Sequence, residues 1–309
     1  MRLGSANSYD KSLQNIAARQ SDLSSQQEKL TSGKKINRPS DDPTGASQAE
    51  RSLTRMARIA TDQRALEVQA NAITLAESAL GDATSLVLGV RDLVVSAGNG
   101  TYTATDRASI ALQMQGLRDQ LFTIANRADA NNTPLFGGLG SAAIPFTQSG
   151  TTITFNGVAG QNASTETTVP GAMDGQAIWM NVASDTSNPS SAKTNLFAIL
   201  DTAIAGIGST TATTAAVTQT VSLALSQIDA GLNQIQSARG QAGTWLNRVD
   251  NISATQQSRS QSLAAEKSRA EDIDMVTGIS DFQKMQTGYQ AALQSYAQVQ
   301  KLSLFNYIS

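Results

Sequence analysis

Residues 59–94 read IATDQRALEVQANAITLAESALGDATSLVLGVRDLV, and within them Ile59, Leu66, Ile73, Leu80, Val87 and Val94 recur at every seventh position. Two turns of α-helix return a side chain to nearly the same direction, so this repeat keeps one apolar face toward a partner along the whole segment. It predicts a long helix in a bundle or coiled coil. Proline is absent from 44–133 and from 190–309, so no proline breaks such a helix in either stretch.

Downstream, Gly98-Asn99-Gly100 reads as a turn, with Thr105 or Asp106 as the expected N-cap of the next helix. Ile110, Met114, Leu117, Leu121 and Ile124 then form a second seam, returning antiparallel to the first. A third long helix follows from Val221, Leu225, Ile228, Leu232, Ile235, Arg239, Ala242, Leu246 and Val249, after a loop expected around 206–216. Between Pro134 and Pro189 the composition turns to Thr, Gly, Asn and Ser. There Ile153 and Phe155 alternate ahead of Asn156-Gly157, a hairpin signal, so a small β-rich insertion is expected, the alternative being a long irregular loop.

Upstream, GKKINRPSDDP (33–43) places a glycine where one helix ends and two prolines before the next begins. This is a joint, and Asp41 and Asp42 fit the role of caps at the positive end of the following helix. The chain ends carry narrow seams of their own: Tyr9, Leu13, Ile16, Gln20, Leu23, Gln27 and Leu30 at one, and Met275, Ile279, Phe282, Gln286, Tyr289, Leu293, Tyr296 and Gln300 at the other. Residues 1–40 hold seven basic and three acidic side chains, and 270–309 hold two basic and four acidic, so the ends attract. The last residues add an apolar tip of Leu302, Leu304, Phe305, Tyr307 and Ile308. The ends are expected to pair with each other and with neighbouring copies; packing on an ordinary core is the alternative.

Composition narrows the function. With 309 residues, 40% hydrophobic but only 5% aromatic, the chain suits helical and modestly packed structure. It has no Cys and no His, which removes thiolate nucleophiles, imidazole bases, disulfides and the common zinc ligands. No enzyme activity, cofactor or metal is expected. A net charge of -2 argues against a nucleic-acid binder, the cluster Lys34, Lys35 and Arg38 being too short to support one. No apolar run approaches the ~20 residues of a bilayer helix, and the first residues lack the apolar stretch of a cleavable signal.

The segments TSGKKINRPSDDPTGASQA (31–49), MRL at the start and QKLSLFNYIS (300–309) resemble the flagellar hook-associated protein 3 family, which is related to flagellin. AGNGTYTATDRASIALQMQGLRDQL (97–121) and NNTPLFGG (131–138) extend the similarity. A departure is Gly4, where a serine is more usual. The resemblance implies a structural subunit at the junction of hook and filament, with filament flagellin the nearest alternative. It further implies an extracellular place in the bacterial flagellum, reached unfolded through the flagellar type III apparatus. Implied partners are copies of the chain in a ring-like tubular layer, the hook-side junction protein (hook-associated protein 1), flagellin and a type III export chaperone.

These readings combine into a mainly α fold: a long discontinuous helical bundle or coiled coil built from both chain ends. The expected division is 1–40 with 270–309 as terminal coiled coil, 41–133 with 190–269 as bundle, and 134–189 as a variable outer domain on which few bundle contacts depend. The expected assembly interface is Leu13, Ile16, Leu23, Leu30, Ile279, Phe282, Tyr289, Leu293, Tyr296 and the apolar tip. A surface hydrolase in the central segment would need two carboxylates across a cleft, and only Glu166, Asp174 and Asp185 are available there.

Overall fold

A computed structural model describes residues 5–140, 144–184 and 192–308. Its helices are α1 (Ser5–Ser32), α2 (Pro43–Ala97), α3 (Ala104–Ala125), α4 (Leu196–Gly208), α5 (Thr214–Glu271) and α6 (Met275–Ile308). The strands are β1 (Phe146–Ser149), β2 (Thr152–Phe155), β3 (Val182–Ala183) and β4 (Lys193–Thr194), with a π-helical turn at Gln176–Met180. The chain is mainly α, and among the described residues the strands form two antiparallel pairs, β1 with β2 and β3 with β4. Contacts divide it into two compact units: 1–59 with 258–309, and 60–257, the division falling within α2 and α5.

The starts of α2 and α3 are each set by a local polar cap. Asp42 accepts hydrogen bonds from the Thr44 and Gly45 amides, both at 3.0 Å, with Pro43 at the first helical position of α2. For α3 the cap is Thr103, ahead of the expected Thr105 or Asp106: Thr103 and Asp106 exchange bonds with each other's backbone amides. That reciprocal pair satisfies two otherwise orphaned N–H groups, which a cap at Thr105 or Asp106 would leave unpaired. At the other end of the joint, α1 stops where Gly33 turns to φ +72°, a left-handed conformation that L side chains rarely adopt.

In the larger unit the seven-residue repeat of α2 lies in the core, with Leu66, Ile73, Leu80, Val87 and Val94 each at most 2% exposed. Ile59, which belongs to the smaller unit, is half-buried. Arg239 pairs with Glu77 at 2.6 Å and Arg91 with Asp229 at 2.9 Å, which sets α5 antiparallel to α2. These ion pairs are partly exposed, so they fix register more than they add stability.

The inward face of α5 differs by one residue from the expected seam. Val221, Ile228, Ile235 and Ala242 are buried, but their companions are Ala224, Gly231 and Ala238, whereas Leu225 and Leu232 are only partly buried. Small residues are chosen because α4 lies close: a methyl at Gly231 would sit 2.6 Å from Leu196 Cδ1. A hydrophobic count cannot see such a stripe. The loop expected at 206–216 is likewise shorter, because α4 runs to Gly208 and α5 begins at Thr214.

The central segment joins the bundle core. Phe136, Phe146, Met173, Ile178 and Trp179 belong to the same buried cluster as Leu80 and Ile235, contrary to the expectation that few bundle contacts depend on 134–189. Trp179 meets Phe136 edge-on at 5.6 Å and Phe197 at 6.1 Å. The β1–β2 hairpin turns at Gly150-Thr151, where Gly150 adopts φ +61°, and not at Asn156-Gly157. Asn156-Gly157 follows β2, with Gly157 wedged against Phe155 and the Gly137 carbonyl.

Arg118 of α3 is the buried charge of this core. Its guanidinium forks onto Asp201 of α4 at 2.9 and 3.1 Å, donates to Gln148 of β1 at 2.7 Å, and lies over the rings of Phe122 and Phe197. One side chain therefore ties two helices and the hairpin together. Arg118→Ala should cost ~3–5 kcal/mol, toward the lower end because Asp201 keeps some contact with water. Denaturant unfolding of the full chain measures this, and a loss below ~0.5 kcal/mol would show that the pair adds nothing to packing.

Candidate assembly interface

In the smaller unit α1 and α6 run antiparallel. Gln26 donates to the Gly278 carbonyl at 3.0 Å, and Ile273 N donates to Gly33 O at 3.0 Å. Lys35 N donates to Glu271 O at 2.8 Å and its ammonium to Arg269 O at 2.9 Å, while Lys34 pairs with Glu271. Asp274 restarts the chain as α6, accepting from the Val276 and Thr277 amides and the Thr277 hydroxyl. Close approach is possible because Gly278 has no side chain: a methyl there would lie 2.9 Å from Ile273 Cδ1 and 3.0 Å from Leu30 Cδ2.

Each terminal seam divides into two stripes. Ile16, Leu23 and Leu30 of α1, and Phe282, Tyr289 and Tyr296 of α6, are half-buried at seven-residue intervals. The alternate positions stay in water: Leu13, Gln20 and Gln27 on α1, and Ile279, Gln286 and Leu293 on α6. A pair of helices can cover only one stripe on each, so the second is left over. Met275 and Val276 extend this open surface, Val276 being 80% exposed. Leu302, Leu304, Phe305, Tyr307 and Ile308 continue α6 as helix, but their side chains fall outside the described residues.

A groove of 1060 Å³ opens at the joint of the same unit, with Ile36, Leu53, Arg38, Arg51 and Arg55 among its lining. Asp41, rather than facing a substrate, braces the turn by accepting from the Asn37 and Arg38 amides. In the central segment Asp174 is similarly committed, to the amides of Gly160 at 2.8 Å and Ala177 at 3.2 Å. Asp185 lies outside the described residues.

The polar clasps have a definite electrostatic sense. The hydrogen bond and charge of Lys34 hold Glu271 below its usual carboxylate range, and Glu271 in turn raises Lys34. Asp41 is lowered by the Arg38 and Asn37 amides, and Asp274 by the Thr277 hydroxyl and then the Val276 and Thr277 amides. The joint and both seams are legible in the sequence; the partnership of Lys34 with Glu271 and the role of Gly278 are not. The one available sign was glycine inside an amphipathic helix, where its low propensity asks for a packing reason.

With this geometry in place, the comparisons with known proteins are direct. The bacterial flagellin N-terminal helical region matches residues 5–141 and the bacterial flagellin C-terminal helical region matches 225–308. The flagellar hook-associated protein 3 of Escherichia coli (strain K12) is 30% identical over 99% of both chains. The chain belongs to the flagellar hook-associated protein 3 family. Flagellin of Bacillus subtilis (strain 168) is 28% identical over 88% of this chain and 87% of its own. A crystal structure of flagellar hook-associated protein-3 from Legionella pneumophila superposes with a TM-score of 0.63, covering 70% of this chain and 97% of the other at 18% identity, which speaks to the fold. Members of this family are structural flagellar components.

Lowered carboxylates contribute stability that is present above their unfolded pKa and lost as pH falls through the lowered, folded value. Acid should therefore open the α1–α6 clasp, since protonating Glu271, Asp41 and Asp274 removes their bonds. Lys34 works in the opposite direction, its contribution fading only when pH rises through its raised pKa. Limited proteolysis of the full chain from pH 7 down to pH 3 should show cleavage near the joint increasing in acid. Glu271→Gln should show part of that susceptibility already at pH 7; an unchanged profile would remove Glu271 from the clasp.

Proposed function

We propose that this protein is the junction subunit between the hook side of the bacterial flagellum and its filament, built into a tubular layer through α1 and α6. The observation that supports the assembly role is the second, exposed stripe on each terminal helix, which α1 and α6 leave uncovered among the described residues. Support for the junction over the filament comes from similarity to hook-associated protein 3 along the full chain, compared with the shorter span shared with flagellin. The partners in this reading are copies of the chain, the hook-side junction protein and flagellin, with a chaperone during export through the type III apparatus. The terminal segments 1–40 and 270–309 are the assembly layer, and catalysis has no part in it.

Export as an unfolded chain fits the construction of the termini. A two-helix pair with half its apolar surface in water is only marginally held, so it opens at little cost and gains most of its stability from neighbours. The absence of Cys is compatible with passage to an oxidising exterior without disulfide trapping.

In a strain lacking the gene, electron microscopy should find hooks without filaments, and flagellin should accumulate in the medium. Hooks carrying normal filaments would refute the junction role. Deleting residues 301–309 should leave the larger unit's cooperative unfolding intact while abolishing motility. If that deletion instead removes the unfolding transition, the tip belongs to the fold and not to assembly.

A further inference from the structure

We infer that Asn99-Gly100, in the turn between α2 and α3, is a site of self-modification in which the asparagine closes onto its own backbone and is converted to aspartate and isoaspartate. The reaction needs an activated side-chain carbonyl, a free backbone nitrogen next to it, and room to close a five-membered ring. All three occur here. The Asn99 side-chain oxygen accepts from the Thr101 amide at 3.1 Å and from the Thr101 hydroxyl at 2.9 Å. Those two donors polarise Cγ and would stabilise the negative charge that develops on this oxygen during attack, as donors aimed at an oxyanion do in acyl transfer.

The nucleophile is the Gly100 nitrogen, whose N–H donates to no group among the described residues. A methyl built on Gly100 would meet nothing within 4 Å, and both residues are exposed, so no packing opposes the closure. The nitrogen forms a bond to Asn99 Cγ; the Cγ–Nδ2 bond breaks, and the proton from Gly100 leaves with Nδ2 as ammonia. Water then opens the resulting imide at either carbonyl. One opening gives aspartate, and the other gives isoaspartate, with an extra methylene in the backbone just ahead of the Thr103 cap.

Asn156-Gly157 has the same dipeptide and the opposite surroundings. Its side-chain nitrogen, the leaving group, is held by the Ile144 carbonyl at 3.4 Å and the Thr147 hydroxyl at 3.1 Å. Both asparagine amides donate to a carbonyl, Asn99 to Ser96 O at 3.1 Å and Asn156 to Pro145 O at 2.7 Å, but a methyl at Gly157 would lie 2.4 Å from the Phe155 ring and 2.5 Å from Gly137 O. Ring closure there would require the loop to come apart. Sequence alone treats the two sites alike; the structure separates them.

The test is incubation of the intact chain at pH 7 and at mildly alkaline pH, followed by peptide mass spectrometry and an isoaspartate assay. The peptide carrying Asn99 should gain about one dalton, faster at the higher pH, while the Asn156 peptide stays unchanged as long as the protein is folded. Gly100→Ala should suppress the change, because a Cβ hinders the attacking nitrogen. Thr101→Val removes one of the two donors and should slow conversion by up to about tenfold, less than for a donor in a buried catalytic site. Conversion at Asn156 as fast as at Asn99 in folded protein would overturn the inference. A Thr101→Val chain reacting at the wild-type rate would overturn the activating role of the cradle.

Discussion

The structure depends on the seven-residue apolar repeat of α2. A helix that keeps one face inward from Leu66 to Val94 supplies a continuous wall to the buried cluster that α3, α4, α5 and the central segment share. Helix α5 is aligned by Arg91 and Arg239 on carboxylates of α5 and α2, and α3 returns along α2, with Leu117 Cδ1 lying near Gly89. An eighteen-residue window of α2 is apolar enough to meet a length-and-composition criterion for crossing a bilayer, but 44% of it is buried inside the protein. Its buried heptad residues are accounted for by the neighbours they serve, while Leu75, Leu88 and Val95 of the same helix stay exposed.

That wall had to be approached from several sides, which explains where small residues and one large charge appear. Ala76, Ala79 and Ala83 of α2 and Ala224, Gly231 and Ala238 of α5 are buried beside the larger heptad residues. They allow backbones to come close, and aromatic side chains from the central segment and α4 belong to the same buried cluster. Arg118 enters the same core because its fork is fully used: Asp201, Gln148 and two ring faces replace the water it gives up. Sequence periodicity placed Met114, Leu121 and Ile124 correctly around it but gave no reason to put an arginine inside.

What was legible in the sequence follows from how local each signal is. The repeat of α2, the glycine and prolines of the joint, the cap at Asp42 and the seams of the termini each depend on residues a few positions apart, whereas Asp41, expected as a second cap, instead accepts from the Asn37 and Arg38 amides inside the joint. The errors came where distant chain decided the outcome. Leu225 and Leu232 looked like core but yielded to alanine and glycine because α4 packs there, and Asn156-Gly157 looked like a hairpin turn but the positive φ was taken by Gly150. The central segment broke with its flanks in composition, yet Phe136 and Trp179 made it part of the bundle core. Composition describes a segment's own residues, not the face that its neighbours need covered.

The terminal helices show the same logic left unfinished within one chain. In the proposed assembly, burying an exposed leucine or isoleucine fully would gain ~1.5–3 kcal/mol. Bringing subunits together costs an estimated ~4–15 kcal/mol in lost freedom of motion. Leu13, Met275, Val276, Ile279 and Leu293, interleaved with Gln20, Gln27 and Gln286, together gain no more than about that cost, so one neighbour is held weakly. Contacts with several neighbours at once would pass the threshold, since each further contact on an already immobilised subunit does not repeat that cost. A stripe of this strength keeps single chains apart and still orders them where a template already presents more than one partner. The weakness of the exposed stripe is therefore an argument for templated growth at an existing end, and against spontaneous association in solution.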